Sequence, residues 1–503
     1  MNGFADRRGA IRLAGRLMLG AFAGKVLGFA REIEMARLLG AGLVADAFRA
    51  SLTAAILPIA PLVGDIVPSV MIPMHRQWSA DGSAPRRFAL LTLAFGLLTL
   101  PIAIAAFIFA DQWVAILVSG FTPEAKALTV RFVKVMVLSM PGVVLASCFN
   151  SAEISIGRSR IAMIRASMQN LSVMAGIGLM VLTGNVMLIA WAFTVSMTAT
   201  AVYGGVMLVR ERELTLGGAS LREAGAVVAA FIHRIKSLLI TPFADQGNIL
   251  LERTLVSHVG VGSVASMEYA RTLTDTALFL VSQPIGFVML AQTTGDRETT
   301  GHRVELLLRP LLALSLPAAL FMMIFATDIV TVVLRRGAFQ EHAVTLTSAA
   351  LGGISAGLWA AVIGSVFIRM LNAAHRNRMA AVILLVGAAG QALVNVLAVR
   401  DLGVLGAGLG DSTRGLVMLI GAAWALHSGR LLLRLLMLMV IPAVLFVAMG
   451  EGIRAVVVSP FTRLILGGGS FGVGILLCLL MLAPEFCRMV MQRLRVRRLR
   501  AQT

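Results

Sequence analysis

Charge is what this 503-residue chain has least of: 14% of its residues are Asp, Glu, Lys or Arg, where an ordinary soluble domain carries ~25%. Lysine is confined to Lys25, Lys126, Lys134 and Lys236. The three cysteines, Cys148, Cys478 and Cys487, sit in apolar settings without a pairing spacing, so neither a disulfide framework nor a metal knuckle is expected. The seven histidines are scattered from His75 to His427, and no GxxxxGK loop or HExxH string occurs, so no enzymatic centre or cofactor is expected. The basic segment Met1 to Arg16 leads into a long span without a small-residue cleavage site, and a removable signal peptide is not expected either.

What is abundant is apolar: 58% of the residues are hydrophobic. No soluble core could bury so many, and the chain reads as an all-α polytopic membrane protein. A span needs ~20 mostly apolar residues, and about fourteen such runs can be marked, from Leu13–Leu39 to Leu464–Phe486. The net charge of +19, from 44 basic and 25 acidic residues, lies in short clusters between these runs. A polar face for nucleic acid is therefore excluded. With the N-terminus inside, the connections holding Arg76, Arg86, Arg87, Arg158, Arg160, Arg210, Arg212, Arg297, Arg303, Arg376, Arg378 and Arg430 all fall in the cytoplasm, as does the tail Arg488 to Arg500. Both termini are expected to be cytoplasmic, and Arg335-Arg336 is the exception placed outside.

The chain also repeats itself. Leu38-Leu39-Gly40-Ala41-Gly42 aligns with His258-Val259-Gly260-Val261-Gly262, and Glu32 falls on Glu252; farther on, Gly157-Arg158-Ser159-Arg160 aligns with His375-Arg376-Asn377-Arg378. Two matches at nearly one offset predict two six-helix lobes in parallel orientation, residues 1–223 and 224–429, followed by two extra helices and a basic tail over 430–503.

Ionisable residues inside apolar spans are the functional candidates, since each costs about 2.5–3.5 kcal/mol at mid-bilayer and so needs a partner or a wet cavity. The first run carries Lys25, Arg31, Glu32, Glu34 and Arg37. Lys25 and Glu32, seven apart, line one stripe two turns from each other. Asp46 follows the Gly40-Ala41-Gly42 turn, where capping its own helix is an alternative role. In the second lobe Glu252, Arg253, Arg271 and Asp275 are candidates, with an Arg271–Asp275 pair at i, i+4 as the local alternative.

Four strings stand out: Val26-Leu27-Gly28-Phe29-Ala30-Arg31-Glu32, Ala36-Arg37-Leu38-Leu39-Gly40-Ala41-Gly42, Ala45-Asp46-Ala47-Phe48 and Arg336-Gly337-Ala338-Phe339. They resemble the MurJ/MviN family of lipid II flippases. The resemblance implies a V-shaped pair of lobes around a cationic central cavity for the head group of an undecaprenyl-pyrophosphate-linked saccharide. It implies substrate-binding roles for Lys25, Arg31, Glu32, Asp46 and Arg271, with Lys25 in place of a family arginine. Ion coupling, by Na+ or H+ or through the membrane potential, would fall to Glu252, Gln391 and Asn395. A monomer in the bacterial inner membrane, serving peptidoglycan synthesis, is the implied setting.

The chain departs from the family pattern late in the second run, where Ile59 stands at a cavity-arginine position within Ile56-Leu57-Pro58-Ile59-Ala60-Pro61. That departure fits a paralogue handling another lipid-linked glycan, such as an exopolysaccharide unit, as well as it fits a lipid II flippase. A cation-coupled multidrug exporter of the same superfamily is the alternative, and it predicts an acidic cavity.

Overall fold

The computed structural model describes residues 2–64, 66–215, 217–218, 220–236, 238–292 and 300–488; the side chains of residues 2–14, 16–17, 66, 278–292 and 300–303 are left aside. The basic tail from residue 489 and Arg297 lie outside the described residues. The described chain is almost wholly helical and divides into two compact units, Met1–Ala265 and Ser266–Thr503.

The first unit holds α1 (Asn2–Leu39), α2 (Leu43–Ile56), α3 (Ile66–Ala80), α4 (Ala84–Ile108), α5 (Ala110–Leu117), α6 (Pro123–Met136), α7 (Met140–Ser155), α8 (Arg160–Thr183), α9 (Met187–Arg210), α10 (Leu221–Ile235) and α11 (Ile240–Ser257). The second holds α12 (Ser263–Gln292), which begins just before the division, then α13 (Thr300–Ile324), α14 (Ala326–Leu334), α15 (Glu341–Ala356), α16 (Leu358–Ala373), α17 (Asn377–Leu402), α18 (Val404–Ala425), α19 (Gly429–Val456) and α20 (Pro460–Leu482). The compact division at 265 and the repeat boundary expected at 223 measure different things. α10 and α11 open the second repeat by helix order, yet they pack against α3, α4 and α5.

Among the described residues nine helices are long and apolar enough to cross a membrane, and eleven spans result if each of two bent pairs counts as one. The protein is thus a multi-pass membrane protein. The fourteen expected runs differ from these eleven by α1, α12 and α18, all continuous helices. They carry the inward charges read from sequence, together with Asp411 and Arg414. The second expected run is not one helix. Pro58 and Pro61 each lack a main-chain donor, and Leu57–Leu62 tightens into a 3-10 segment between α2 and α3.

The repeat has a conformational counterpart. Gly157 (φ 78°) and His375 (φ 59°) occupy the left-handed region at matching places in the two repeats. The next amide in each turn reaches back to close it, Arg158 N to Glu153 O and Arg376 N to Leu371 O, both at 2.9 Å. Arg212 (φ 58°) and His427 (φ 55°) form a second matched pair. A left-handed residue is a common way to end a helix, and it costs nothing at Gly157 but strains the His375 backbone.

Glycine lets helices approach closely. On α1, Gly20, Gly24 and Gly28 form one stripe against α8, where a Cβ on Gly20 would lie 2.7 Å from Met163 Cα and one on Gly24 2.8 Å from Ala166 Cβ. In the second unit α18 is flanked on two sides. Gly406 and Gly410 face α17, while Gly408, Ser412 and Gly415 face α15 and α16. The C-terminal helices dock on α13 through the rings of Phe321, Phe325, Phe446 and Phe471, with centroid separations of 4.8–6.1 Å.

Candidate functional site

Two groups of intramembrane charges emerge, one in each unit. In the first, Glu32 of α1 is almost fully buried, 2% exposed, and accepts hydrogen bonds from Arg31 beside it and from Arg49 of α2. Gly42 and Gly40, the latter at φ 63°, reverse the chain between the two helices. That reversal returns Arg49 to Glu32 although 17 positions separate them. Two guanidinium groups thus bear on one carboxylate. Arg31 retains 15% exposure, and its buried Nε has no hydrogen-bond partner among the described residues. One donor is therefore unspent.

Lys25 is exposed on α1. Six residues from Arg31, it sits about 120° around the helix from it. Ile59, at the position where the family pattern has an arginine, is fully buried.

Asp46 is neither a cap for its own helix nor a side chain in a wet cavity. α2 begins at the N-cap Gly42 without a side-chain cap. The Asp46 carboxylate instead accepts the amide of Gly262 at 2.5 Å and that of Ala265 at 2.8 Å, capping the first turn of the helix that starts at Ser263. The two turns matched by the internal repeat meet here: a Cβ on Gly262 (φ 89°) would overlap the Ala41 carbonyl. Arg253 donates to Val264 O at 3.4 Å and lies close enough to Asp46 for their charges to interact. Glu252 beside it is buried in the same unit.

In the second unit Arg271 meets a partner from another helix. Arg271 of α12 donates through Nε (3.3 Å) and Nη2 (3.0 Å) to Oδ2 of Asp411 on α18, and through Nη1 to Glu268 at 3.3 Å. The other Asp411 oxygen accepts from Gln391 Nε2 at 2.6 Å. The Arg271 guanidinium thus lies between two carboxylates. Arg271 and Asp411 stay 26% and 21% exposed.

One turn along α17 from Gln391, Asn395 is fully buried against Gly410, and neither its Oδ1 nor its Nδ2 has a hydrogen-bond partner among the described residues. The structure thus brings Gln391 and Asn395 together with Asp411, while Glu252 belongs to the first unit. Sequence periodicity missed both Arg49 and Asp411, because each partner is distant along the chain. An unpaired basic or acidic residue inside a helical run was the signal available. Among the described residues no group of three or more His, Cys, Asp or Glu suited to a metal ion occurs.

The Arg336-Gly337-Ala338-Phe339 segment also finds a physical role. Gly337 turns the chain at φ 57°, and Phe339, buried, meets Tyr269 of α12 edge-on at 5.5 Å. Tyr269 lies two residues before Arg271, so the segment steadies the helix that presents the guanidinium.

The model of the lipid II flippase MurJ family matches residues 35–467, most of the chain. The chain belongs to the MurJ family. A probable lipid II flippase MurJ of Rhizobium tropici is 25% identical over 366 residues, covering 67% of this chain and 66% of that protein. The alignment thus spans just under two thirds of the relative's length. Among solved structures, a lipid II flippase MurJ in an inward closed conformation superposes with a TM-score of 0.81 at 15% identity, covering 94% of this chain and 99% of that one. A multidrug resistance MATE family transporter of the MOP superfamily, inward-facing, reaches 0.61 at 15% identity over 84% of this chain and 99% of that one. At these identities the superpositions speak for the fold, which is that of MurJ and, more distantly, of MATE transporters.

Proposed function

We propose that the protein is a flippase that carries an undecaprenyl-pyrophosphate-linked saccharide across the bacterial cytoplasmic membrane by alternating access, as a transporter and not an enzyme, with both termini in the cytoplasm. The observation that carries this reading is a pair of partly exposed guanidinium groups inside a MurJ-family membrane fold, Arg31 with an unspent donor and Arg271. Planar guanidinium forks suit a diphosphate better than any other side chain does. Lys25, exposed on α1, supplies a further positive charge. Peptidoglycan precursor lipid II is the first substrate to test, and another lipid-linked glycan is the second. For a coupling cation, the oxygens of Gln391, Asn395 and Asp411 are hard donors of the right type.

A cation-coupled exporter is the second reading, favoured by the two carboxylates, Glu268 and Asp411, that flank Arg271. The experiment that separates the two is complementation of a strain depleted of its lipid II flippase, run beside a drug-sensitivity panel in a deletion strain. Wild type should rescue growth, while Arg31→Ala and Arg271→Ala should not, although both insert normally. Arg31→Ala is suited to the test because Glu32 keeps its Arg49 partner. Rescue by both variants overturns the proposal. Drug hypersensitivity of the deletion strain without any defect in a lipid-linked polymer favours the exporter.

A further inference from the structure

We propose that Asp411 is a built-in stand-in for the substrate's phosphate on Arg271, which the diphosphate displaces on binding; this rests on the reading that Arg271 meets the diphosphate. A guanidinium left bare at bilayer depth is costly, so an empty substrate site needs a resident anion. Glu268 neutralises one face of Arg271, and Asp411 fills that role on the other. Its Oδ2 takes two donors from one edge of Arg271, Nε at 3.3 Å and Nη2 at 3.0 Å, the edge that a phosphoryl group would use.

The fit of Asp411 is incomplete in ways that make it replaceable. Both donors converge on a single carboxylate oxygen, so the parallel two-oxygen arrangement that makes an arginine–carboxylate pair strong is not formed. The pair is about one quarter exposed on each side, so water can meet either partner as the other leaves. Asp411 is moreover held from behind: Gln391 donates to Oδ1 at 2.6 Å from α17, and it continues to hold that oxygen when Oδ2 is given up. A diphosphate offers more acceptor oxygens and more negative charge than a carboxylate, and it wins the exchange without requiring a vacant site.

The residue is thereby a device for release as well as for rest. Once the cargo reaches the far side, Asp411 competes for the guanidinium and helps the diphosphate leave. Affinity is lowered for the sake of turnover, as expected when ground-state binding adds nothing to the rate of a transport cycle. The same exchange breaks the bond between α12 and α18, linking occupancy of Arg271 to the packing of those helices.

The test uses purified full-length protein in detergent with farnesyl diphosphate as probe, its affinity measured by calorimetry. Asp411→Asn keeps the shape and the Gln391 contact while removing the charge, and Asp411→Ala removes the competitor outright. Both should bind the probe about threefold to tenfold more tightly than wild type and flip lipid-linked substrate more slowly in reconstituted vesicles. Arg271→Gln should weaken the probe, and the Asp411→Asn/Arg271→Gln double variant should match Arg271→Gln alone. Structural damage would loosen binding, so a gain in affinity is the diagnostic result. If Arg271→Gln weakens binding while both Asp411 variants bind no tighter than wild type, the stand-in is refuted and the substrate site stands. If Arg271→Gln leaves the affinity unchanged, the placement of the diphosphate on Arg271 fails first, and the inference with it.

Discussion

Removal of the Asp46 carboxylate tests the joint between the two repeated turns. In Asp46→Ala the amides of Gly262 and Ala265 lose their acceptor inside a buried region, and Arg253 loses a neighbouring negative charge. Loss of an ordinary N-cap costs about 0.5–2 kcal/mol, whereas hydrogen bonds to a charged group are worth about 1.5–3 kcal/mol each. Two such bonds, with no room for the Gly262 backbone to find another partner beside Ala41, place the expected cost near ~3 kcal/mol. At ~2–4 °C per kcal/mol for a unit of this size, the melting temperature should fall by about 6–12 °C. The assay is thermal unfolding of the purified protein followed by tryptophan fluorescence, since Trp113 donates to the Ala54 carbonyl at 3.1 Å and so reports on α2. Gly262→Ala, which drives a methyl group into the Ala41 carbonyl, should damage the same joint, so the two losses should combine to less than their sum. A melting temperature for Asp46→Ala within about 2 °C of wild type, or strict additivity of the pair, would refute the reasoning.

Two further outcomes follow from the packing. Arg49→Ala strips the buried Glu32 of its cross-helix partner and should cost about 3–5 kcal/mol; the Glu32→Leu/Arg49→Met pair should recover most of that loss, and recovery is read by the same melting assay. Gly410→Ala forces a methyl group onto Asn395 Oδ1 and should lower the melting temperature. Adding Asn395→Ala makes room, so the double variant should be more stable than Gly410→Ala alone; a double variant no better would place the strain elsewhere.

The helices were legible because membrane spans announce themselves in runs of apolar residues, and the left-handed turns at 157 and 375 fall where the repeated strings align. Gln391 and Asn395 came from the family resemblance, and their i, i+4 spacing puts them on one helix face. What periodicity does not carry is the partner from another helix. Glu32 selects Arg49 across a glycine turn, and Arg271 selects Asp411, 140 positions away. Asp46 illustrates the same limit from the other side: an acid just after a turn reads as a cap, and it is one, but for the turn that the duplication placed opposite.

The crowding around α18 bears on how variants of this protein are to be judged. Gly406, Gly408, Gly410 and Gly415 each leave less space than one methyl group occupies, on opposite flanks of a single rod that also bears Asp411. Intolerance to substitution along this rod therefore mixes two kinds of necessity, steric and chemical, at alternating positions. A survey that scored only survival would draw one continuous functional stripe. Compensating truncations in α15 to α17 would relieve the glycine positions and leave Asp411 as stringent as before, and that contrast sorts the scaffold from the working group.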